Sequence, residues 1–469
     1  MTMRWTVLLI VLVFGVPNSS FAARQSNIIL ILVDDLGWPH LGCYDSTGFY
    51  ESPEIDRVAA QGCRFTDFYA AGAVCSPTRA SIQSGQYQSR FGITDFIPGH
   101  PYPFARLNVP PVRGELPLEM VTPAEALKIC GYVTGYFGKW HLGGREFEPD
   151  RQGYDASLVT SGRHFKFRTS PPVDVPEGTY LAEFLTDRTI DFIREYRERP
   201  FFVQLSHFAV HIPLEARPET IRHFEQKPRP VGFNDHSTYA AMVKHVDESV
   251  GRIVQVLEEL DLAEETLLVI TSDNGGLSRS AHGGQFVSSN SPLRNEKGSL
   301  YEGGIRVPLI VRWPGKVPAG SICPEPTISV DFWPTFLEVA QTEATPEIPH
   351  QPLDGVSLVP LLLDPTTKLE RDALYFHYPH YHHSTPAGAI RSRDWKLIEF
   401  FETGKVELFN LLDDPEELHN LAMQDPQRAQ VLREQLARWR SETGATMPTP
   451  NPQFDPDRAR ELIRDRRRQ

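Results

Sequence analysis

Two pairs of residues in this chain could together hold a hard metal ion. Asp34-Asp35 and Asp273-Asn274 offer three carboxylates and an amide oxygen. Oxygen donors of that kind suit Ca²⁺ or Mg²⁺. Zinc would require more nitrogen or sulfur, and the chain has neither a His-Glu-x-x-His run nor a paired Cys-x-x-Cys. Lys139, Lys297 and Arg79 supply the positive charge that a bound anion needs, and His141 and His211 can exchange protons near neutrality. Cys75 opens the run Cys75-Ser76-Pro77-Thr78-Arg79. Pro77 biases Ser76 away from the helical region, and Ala80 to Ser84 can continue as a helix. That places Cys75 near a helix N-terminus, where negative charge is favoured. Taken singly, each residue has a plain structural explanation: a buried thiol, a β-turn at Asp273-Asn274-Gly275-Gly276, solvated lysines, hydrogen-bonded histidines. Their joint placement at strand ends does not.

The elements that would carry these residues follow from hydrophobic pattern. Asn27–Val33 is a β-branched apolar run that reads as a buried parallel strand ending on Asp34-Asp35. Arg64–Ala70 reads as a second strand leading to Cys75, and Tyr132–Phe137 as a third leading to Lys139 and His141. Phe201–Ser206 precedes His211, Thr266–Thr271 precedes Asp273, and Val307–Arg312 is a sixth strand. Helices are expected at Pro53–Gln61, Leu118–Gly131 (capped by Thr122, with Pro123 at its first position), Leu181–Glu198, Tyr239–Leu260 and Val330–Val339. This alternation predicts an α/β fold with a large, mostly parallel sheet between layers of helices. Open sheets of that kind bind ligands beyond the C-terminal ends of their strands. Past a Pro-rich stretch at Thr345–Pro352, Ala373–Tyr378, Gly388–Phe401 and Lys405–Leu411 read as hairpin-linked strands, followed by a helix from Pro426 to Ser441. The chain is therefore expected to divide into a catalytic part at 23–350, a small antiparallel α+β unit at 351–445, and a frayed tail at 446–469.

Cys75-x-Pro77-x-Arg79 resembles the signature of the type I sulfatases, within the alkaline-phosphatase-like superfamily. Gly131–His141 resembles that family's second signature. Leu32–Gly37 and Thr271–Gly276 resemble its two metal segments, Lys297–Pro308 its sulfate-binding loop, and His211-Ile212-Pro213 its His-x-Pro element. The matches run in the family's order from Asn27 to Pro308, and the chain resembles the arylsulfatases and N-acetylgalactosamine-6-sulfatases of that family. The resemblance implies an alkaline-phosphatase-like fold and a sulfuric ester hydrolase. It implies that Cys75 is oxidised by a maturation enzyme to Cα-formylglycine (3-oxoalanine), whose hydrated aldehyde is the nucleophile. Asp34, Asp35, Asp273 and Asn274, with position 75, would meet a divalent cation, Ca²⁺ ahead of Mg²⁺. Lys139 and Lys297 would offset sulfuryl charge, and Arg79 would orient the hydrate and the carboxylates. His211 is the candidate acid and His141 the candidate base, roles that the residues themselves leave interchangeable. The substrate would be a sulfated sugar, met at a rim formed by His380, His382 and His383, with Arg163 and His164 as a second segment.

Bulk properties bound the rest. The 469 residues are 23% charged and 40% hydrophobic, a globular composition, and the net charge of −13 argues against nucleic-acid or acidic-membrane binding. Met1–Ala22 reads as a secretory signal peptide with small residues at its cleavage site. Export to a periplasm or the cell exterior follows (a lysosome in an animal), with no stable membrane insertion. Five cysteines are few for an exported chain, and neither their pairing nor an oligomeric state can be read. Two alternatives share these features: a phosphomonoester, phosphodiester or phosphonate hydrolase of the same superfamily, and a secreted carbohydrate-binding protein without activity. Cys75 with the two lysines weighs against the first, and the complete catalytic set against the second.

Overall fold

The computed structural model describes residues 25–45, 47–279, 285–340 and 351–460. The expected signal peptide, most of the Pro-rich boundary stretch and the last part of the basic tail lie outside them.

The core of the chain is a nine-stranded sheet. Its spatial order is Ser321–Cys323, Cys63–Phe65, Leu309–Arg312, Thr266–Ser272, Asn27–Val33, Phe201–Ser206, Val133–Gly138, Ala156–Gly162 and Phe167–Ser170. The five strands from Thr266–Ser272 to Ala156–Gly162 are mutually parallel. Asn27–Val33 lies at their centre because it is apolar on both faces. Ile29, Ile31 and Val33 enter one hydrophobic core, while Ile28, Leu30 and Leu32 enter the other. Leu309–Arg312 and Phe167–Ser170 run antiparallel to their neighbours. The strand expected over Val307–Arg312 is thus present, but reversed.

The expected second strand is broken. Cys63–Phe65 belongs to the large sheet, whereas Phe68–Tyr69 pairs with Thr327–Ile328 in a separate ribbon. This break turns the chain so that Cys75 reaches the C-terminal edge of the parallel strands. The helix over Leu118–Gly131 shortens to Pro123–Ile129, because a reciprocal capping box between Thr122 and Glu125 fixes its start.

The C-terminal unit is a four-stranded antiparallel sheet, Leu374–Tyr378, Ala387–Ser392, Trp395–Phe400 and Val406–Asn410, covered by the helix Pro426–Glu442. Its core is shared with the large domain: Tyr69, Ala73, Val74, Leu300 and Ile305 pack among Phe376, Ile398, Leu408 and Trp439. The residues immediately before Cys75 therefore sit in the seam between the two units. The tail is not frayed from 446 onward. Thr449–Pro450 pairs with Leu107–Asn108, and the Asn451 amide donates to the carbonyls of Pro103 and Ala105. No helix among the described residues is long and apolar enough to cross a membrane.

Candidate active site

Four neighbouring parallel strands deliver the site. Asn27–Val33 ends on Asp34-Asp35, Thr266–Ser272 on Asp273-Asn274, Val133–Gly138 on Lys139, and Phe201–Ser206 on the segment reaching His211. The strand ends are laced together past the sheet. The Asp273 N–H donates to the Val33 carbonyl at 3.2 Å, Lys139 N–H to Ser206 at 2.9 Å, and Asp34 N–H to Ala209 at 3.0 Å. Asp35 and His141 leave their strands at φ 63° and 61°. Non-glycine residues adopt this left-handed region only where their surroundings hold them there.

Cys75 begins the helix Cys75–Ser84, every residue of which is buried. The expectation that Pro77 keeps Ser76 out of the helix fails. Pro77 falls in the first turn, where its missing N–H is not needed. The Cys75 Sγ lies 3.2 Å from His141 Nδ1. His141 Nε2 faces the carbonyl of Ile97 at 2.7 Å, so that nitrogen carries the proton and Nδ1 presents a lone pair to position 75. Burial, reinforced by Lys139, drops the His141 pKa to about 3 and keeps the ring neutral. Burial pushes the Cys75 thiol up.

Arg79 is buried and binds in two directions. Its Nε donates to Asp273 Oδ2 at 2.8 Å, its Nη2 forms an ion pair with the same oxygen at 2.7 Å, and its Nη1 donates to the Lys139 carbonyl at 2.7 Å. Lys139 Nζ donates to Asp34 Oδ2 at 2.5 Å, and Lys297 Nζ to both oxygens of Asp35 at 2.6 and 2.9 Å. Burial works against charge on all of these groups, but attraction wins at Asp34, Asp35 and the two lysines. Asp34 stays well below the carboxylate range, Asp35 is lowered, and both lysines stay above their ordinary value. Burial and the neighbouring Asp34 push Asp273 up to about 6.

The donor set fits a hard cation. Asp34 Oδ1 and Asn274 Oδ1 are both buried without a hydrogen-bond donor. The Asn274 orientation is fixed, because its Nδ2 donates to Asp35 Oδ1 at 2.7 Å and to the Gly275 carbonyl at 3.0 Å. Flipping the amide would set oxygen against oxygen. Two buried bare oxygens are expensive unless a cation meets them. The ligand atoms of Asp34, Asp35 and His211 also lie within 4.8 Å of one another. His211 Nδ1 lies 2.6 Å from the Ile212 carbonyl, which leaves Nε2 turned toward Asp35 Oδ2 at 3.7 Å. His211 is half-buried, while the residues beneath it are closed to solvent.

The expected rim divides. His382 and His383 are half-buried near Lys297, and His383 Nδ1 is 2.7 Å from the Lys297 carbonyl. The ring of His100 stands 5.9 Å from His382 and 4.5 Å from Phe96, adding two residues that the sequence did not single out. His380 is not on the rim: it is buried, with Nε2 2.8 Å from Thr94 Oγ1. His164 is also wholly buried, stacked on Phe208 with Nε2 at 2.9 Å from the His211 carbonyl. Arg163 is exposed and held by Glu215 at 2.5 Å. Both histidines were misplaced because the local sequence does not reveal which histidines distant residues will cover, Thr94 in one case and Phe208 in the other. Ser76 and the Ile97 carbonyl were missed as well; Ser76 Oγ donates to the His141 carbonyl at 2.9 Å, and a main-chain acceptor has no sequence signal.

A mostly parallel sheet with carboxylates, lysines and a helix-start cysteine gathered at its strand ends defines a hydrolase of the alkaline-phosphatase-like type. The family model described as Sulfatase matches residues 26–342, and a second, N-sulphoglucosamine sulphohydrolase, C-terminal, matches 295–442. The chain belongs to the sulfatase family and is a sulfuric ester hydrolase. Human arylsulfatase A is 35% identical over 397 residues, covering 76% of this chain and 71% of that protein. The N-acetylgalactosamine-6-sulfatase of Canis lupus familiaris is 33% identical over 387 residues, covering 76% and 70%. Among solved structures, Ps i-CgsB in complex with k-i-k-neocarrahexaose matches with a TM-score of 0.76 and 26% identity, over 94% of this chain and 98% of that one.

Proposed function

We propose that this enzyme removes sulfate from a sulfated carbohydrate, using position 75 as a formylglycine made from Cys75 and a divalent cation, Ca²⁺ ahead of Mg²⁺, held by Asp34, Asp35, Asp273 and Asn274. The observation that carries the reading is the pair of buried, donorless oxygens, Asp34 Oδ1 and Asn274 Oδ1, in the pocket where His141 faces Cys75. The sugar is supported by the oligosaccharide that Ps i-CgsB binds and by the aminosugar sulfatases among the relatives. An export signal fits the same reading, since maturation and a polymeric substrate both suit a secreted enzyme.

The cation would act as a Lewis acid on the sulfuryl oxygens. The hydrated aldehyde would supply one hydroxyl to attack sulfur and a second whose deprotonation would re-form the carbonyl and release sulfate with the attacking oxygen, a route closed to a serine ester. The remaining work falls to side chains. Lys139 and Lys297 are preorganised donors for the anionic group. Three carboxylates face three permanent cations, Arg79 and the two lysines, so a divalent ion leaves the pocket net positive for an anionic ester. His141, with a bare Nδ1 toward position 75, takes the base role. His211, half-buried with Nδ1 against the Ile212 carbonyl and Nε2 3.7 Å from Asp35 Oδ2, takes the leaving-group side. His382, His383, Phe96 and His100 form the surface that would meet the sugar.

The test is mass spectrometry of the position-75 peptide, paired with desulfation assays on sulfated oligosaccharides before and after chelation. The expected result is an aldehyde at position 75, activity lost on chelation and restored by Ca²⁺, and no turnover by Cys75→Ala with an unchanged fold. A fully active enzyme with an intact thiol would sink the mechanism, and a preference for phosphate monoesters would sink the function.

A further inference from the structure

We propose that Asp95 and Tyr378 are positioning residues that fix the tautomer and orientation of His141 through the carbonyl of Ile97. The inference rests on the reading of His141 as the base. It gives the C-terminal sheet a part in the chemistry as well as in substrate choice.

The chain of contacts is continuous, buried at Asp95 and Tyr378 and half-buried at Phe96, Ile97 and His141. Tyr378, the last residue of the strand Leu374–Tyr378, donates its hydroxyl to Asp95 Oδ1 at 2.8 Å. The same oxygen accepts the Phe96 N–H at 2.9 Å. Asp95 and Tyr378 are 1% and 2% exposed. On the other side of the carboxylate, His380 Nδ1 stands 3.9 Å from Asp95 Oδ2, while its Nε2 meets Thr94 Oγ1. The turn at Thr94–Ile97 is thus gripped from the C-terminal sheet. Its far end is pinned to the catalytic helix, where the Ile97 N–H donates to Ser76 Oγ at 3.1 Å. Between these anchors, the Ile97 carbonyl accepts from His141 Nε2 at 2.7 Å.

The consequence is chemical. A neutral imidazole has one N–H, and the nitrogen beside a carbonyl is the one that carries it. Holding the Ile97 oxygen in place therefore holds the lone pair of Nδ1 toward position 75. A buried carboxylate held by the Tyr378 hydroxyl and the main-chain N–H groups of Phe96 and His100 has one low-energy setting, since moving it strands a charge in the interior. Asp95 gains nothing for substrate binding from its place behind the turn, so its effect should fall on turnover.

The test uses the full, matured enzyme with a sulfated aryl ester as substrate and ¹⁵N-histidine NMR as a readout that does not depend on turnover. Asp95→Ala should lower kcat about tenfold to a hundredfold, the scale of a misplaced catalytic group. KM should stay within about twofold of wild type, and the His141 resonance should lose its single Nε2–H tautomer. Tyr378→Phe should move both readouts the same way by a smaller factor. Asp95→Asn keeps one oxygen to accept from the Tyr378 hydroxyl and the Phe96 N–H and should restore both readouts. Wild-type kcat in Asp95→Ala overturns the proposal, as does a loss confined to KM, an unchanged His141 tautomer, or an Asn variant as impaired as the Ala variant. A fall in kcat matched by a fall in formylglycine content also overturns it. A wild-type enzyme with no sulfatase activity would instead refute the functional reading, and the tautomer would still report on the contact chain.

Discussion

Arg79 illustrates what one side chain decides here. Its planar fork joins Asp273, a proposed metal ligand, to the carbonyl of Lys139, a proposed sulfate ligand. A lysine carries the same charge but cannot span both partners with fixed geometry. Arg79→Lys should therefore lower kcat/KM by about a hundredfold and weaken Ca²⁺ activation. Steady-state kinetics across a Ca²⁺ titration checks this, and wild-type behaviour would mean that only its charge matters. At this scale the sequence was most legible. Asp34-Asp35, Asp273-Asn274 and Lys139 sit directly after strands that the hydrophobic pattern identifies, and His141, His211 and Cys75 a few residues further on, whereas Lys297 comes from the loop beyond Thr266–Ser272. His380 and His164 were illegible, since their burial depends on neighbours distant in sequence.

The strands work as levers that aim those residues, and Gly138 shows how closely they fit. It ends the strand Val133–Gly138 at φ 122°, and a Cβ there would lie 1.9 Å from the Ser206 carbonyl oxygen. That carbonyl also accepts the Lys139 N–H. Gly138→Ala should thus both destabilise the sheet and shift Lys139, seen as a lower Tm together with lost activity; an unaffected enzyme would show that the backbone can yield there. Thr122 is a simpler case. Thr122→Ala removes the capping box and should cost about 1 kcal/mol in chemical denaturation, with kcat unchanged, because the helix lies behind the sheet. Two strands missed by the sequence have a common cause. Ala156–Gly162 and Phe167–Ser170 lie at the sheet edge, half exposed, without the continuous apolar run that marks a buried strand.

At the scale of the molecule, a buried ionic cluster ties the two units together. Lys396 of the C-terminal sheet contacts Glu302 at 2.7 Å and Glu417 at 2.8 Å, and Glu417 Oε2 accepts the Glu302 N–H at 2.7 Å. Glu302 opens the turn at Glu302–Ile305, whose Gly304 carbonyl accepts the N–H of Gly275, the residue after Asn274. The cluster thereby braces the loop between Lys297 and the proposed metal segment Asp273-Asn274. Burial, with Glu302 alongside, pushes Glu417 up to about 7, although Lys396 opposes it. The folded protein therefore holds this proton more tightly than the unfolded chain, where a glutamate titrates at about 4.3. The stability it contributes is complete below that unfolded value and is lost as pH rises through about 7. Glu417→Gln should flatten the decline of Tm between acid and neutral pH. An identical pH profile in the variant would assign the decline to other groups.

The sequence by itself determined the chemistry. Residue types suited to hard-cation and anion binding stand at the ends of apolar runs, and short-range periodicity is enough to place strand ends. It determined the family for the same reason, since the motifs are contiguous. The tertiary structure alone decided which of those residues work together and how. The reversal of Leu309–Arg312, the burial of His380 and His164, the tautomer of His141 and the cluster at Lys396 all depend on pairs far apart along the chain. Tyr378 and Asp95 are 283 residues apart. No local pattern encodes such a contact, because its energy arises only when packing excludes water from both partners at once.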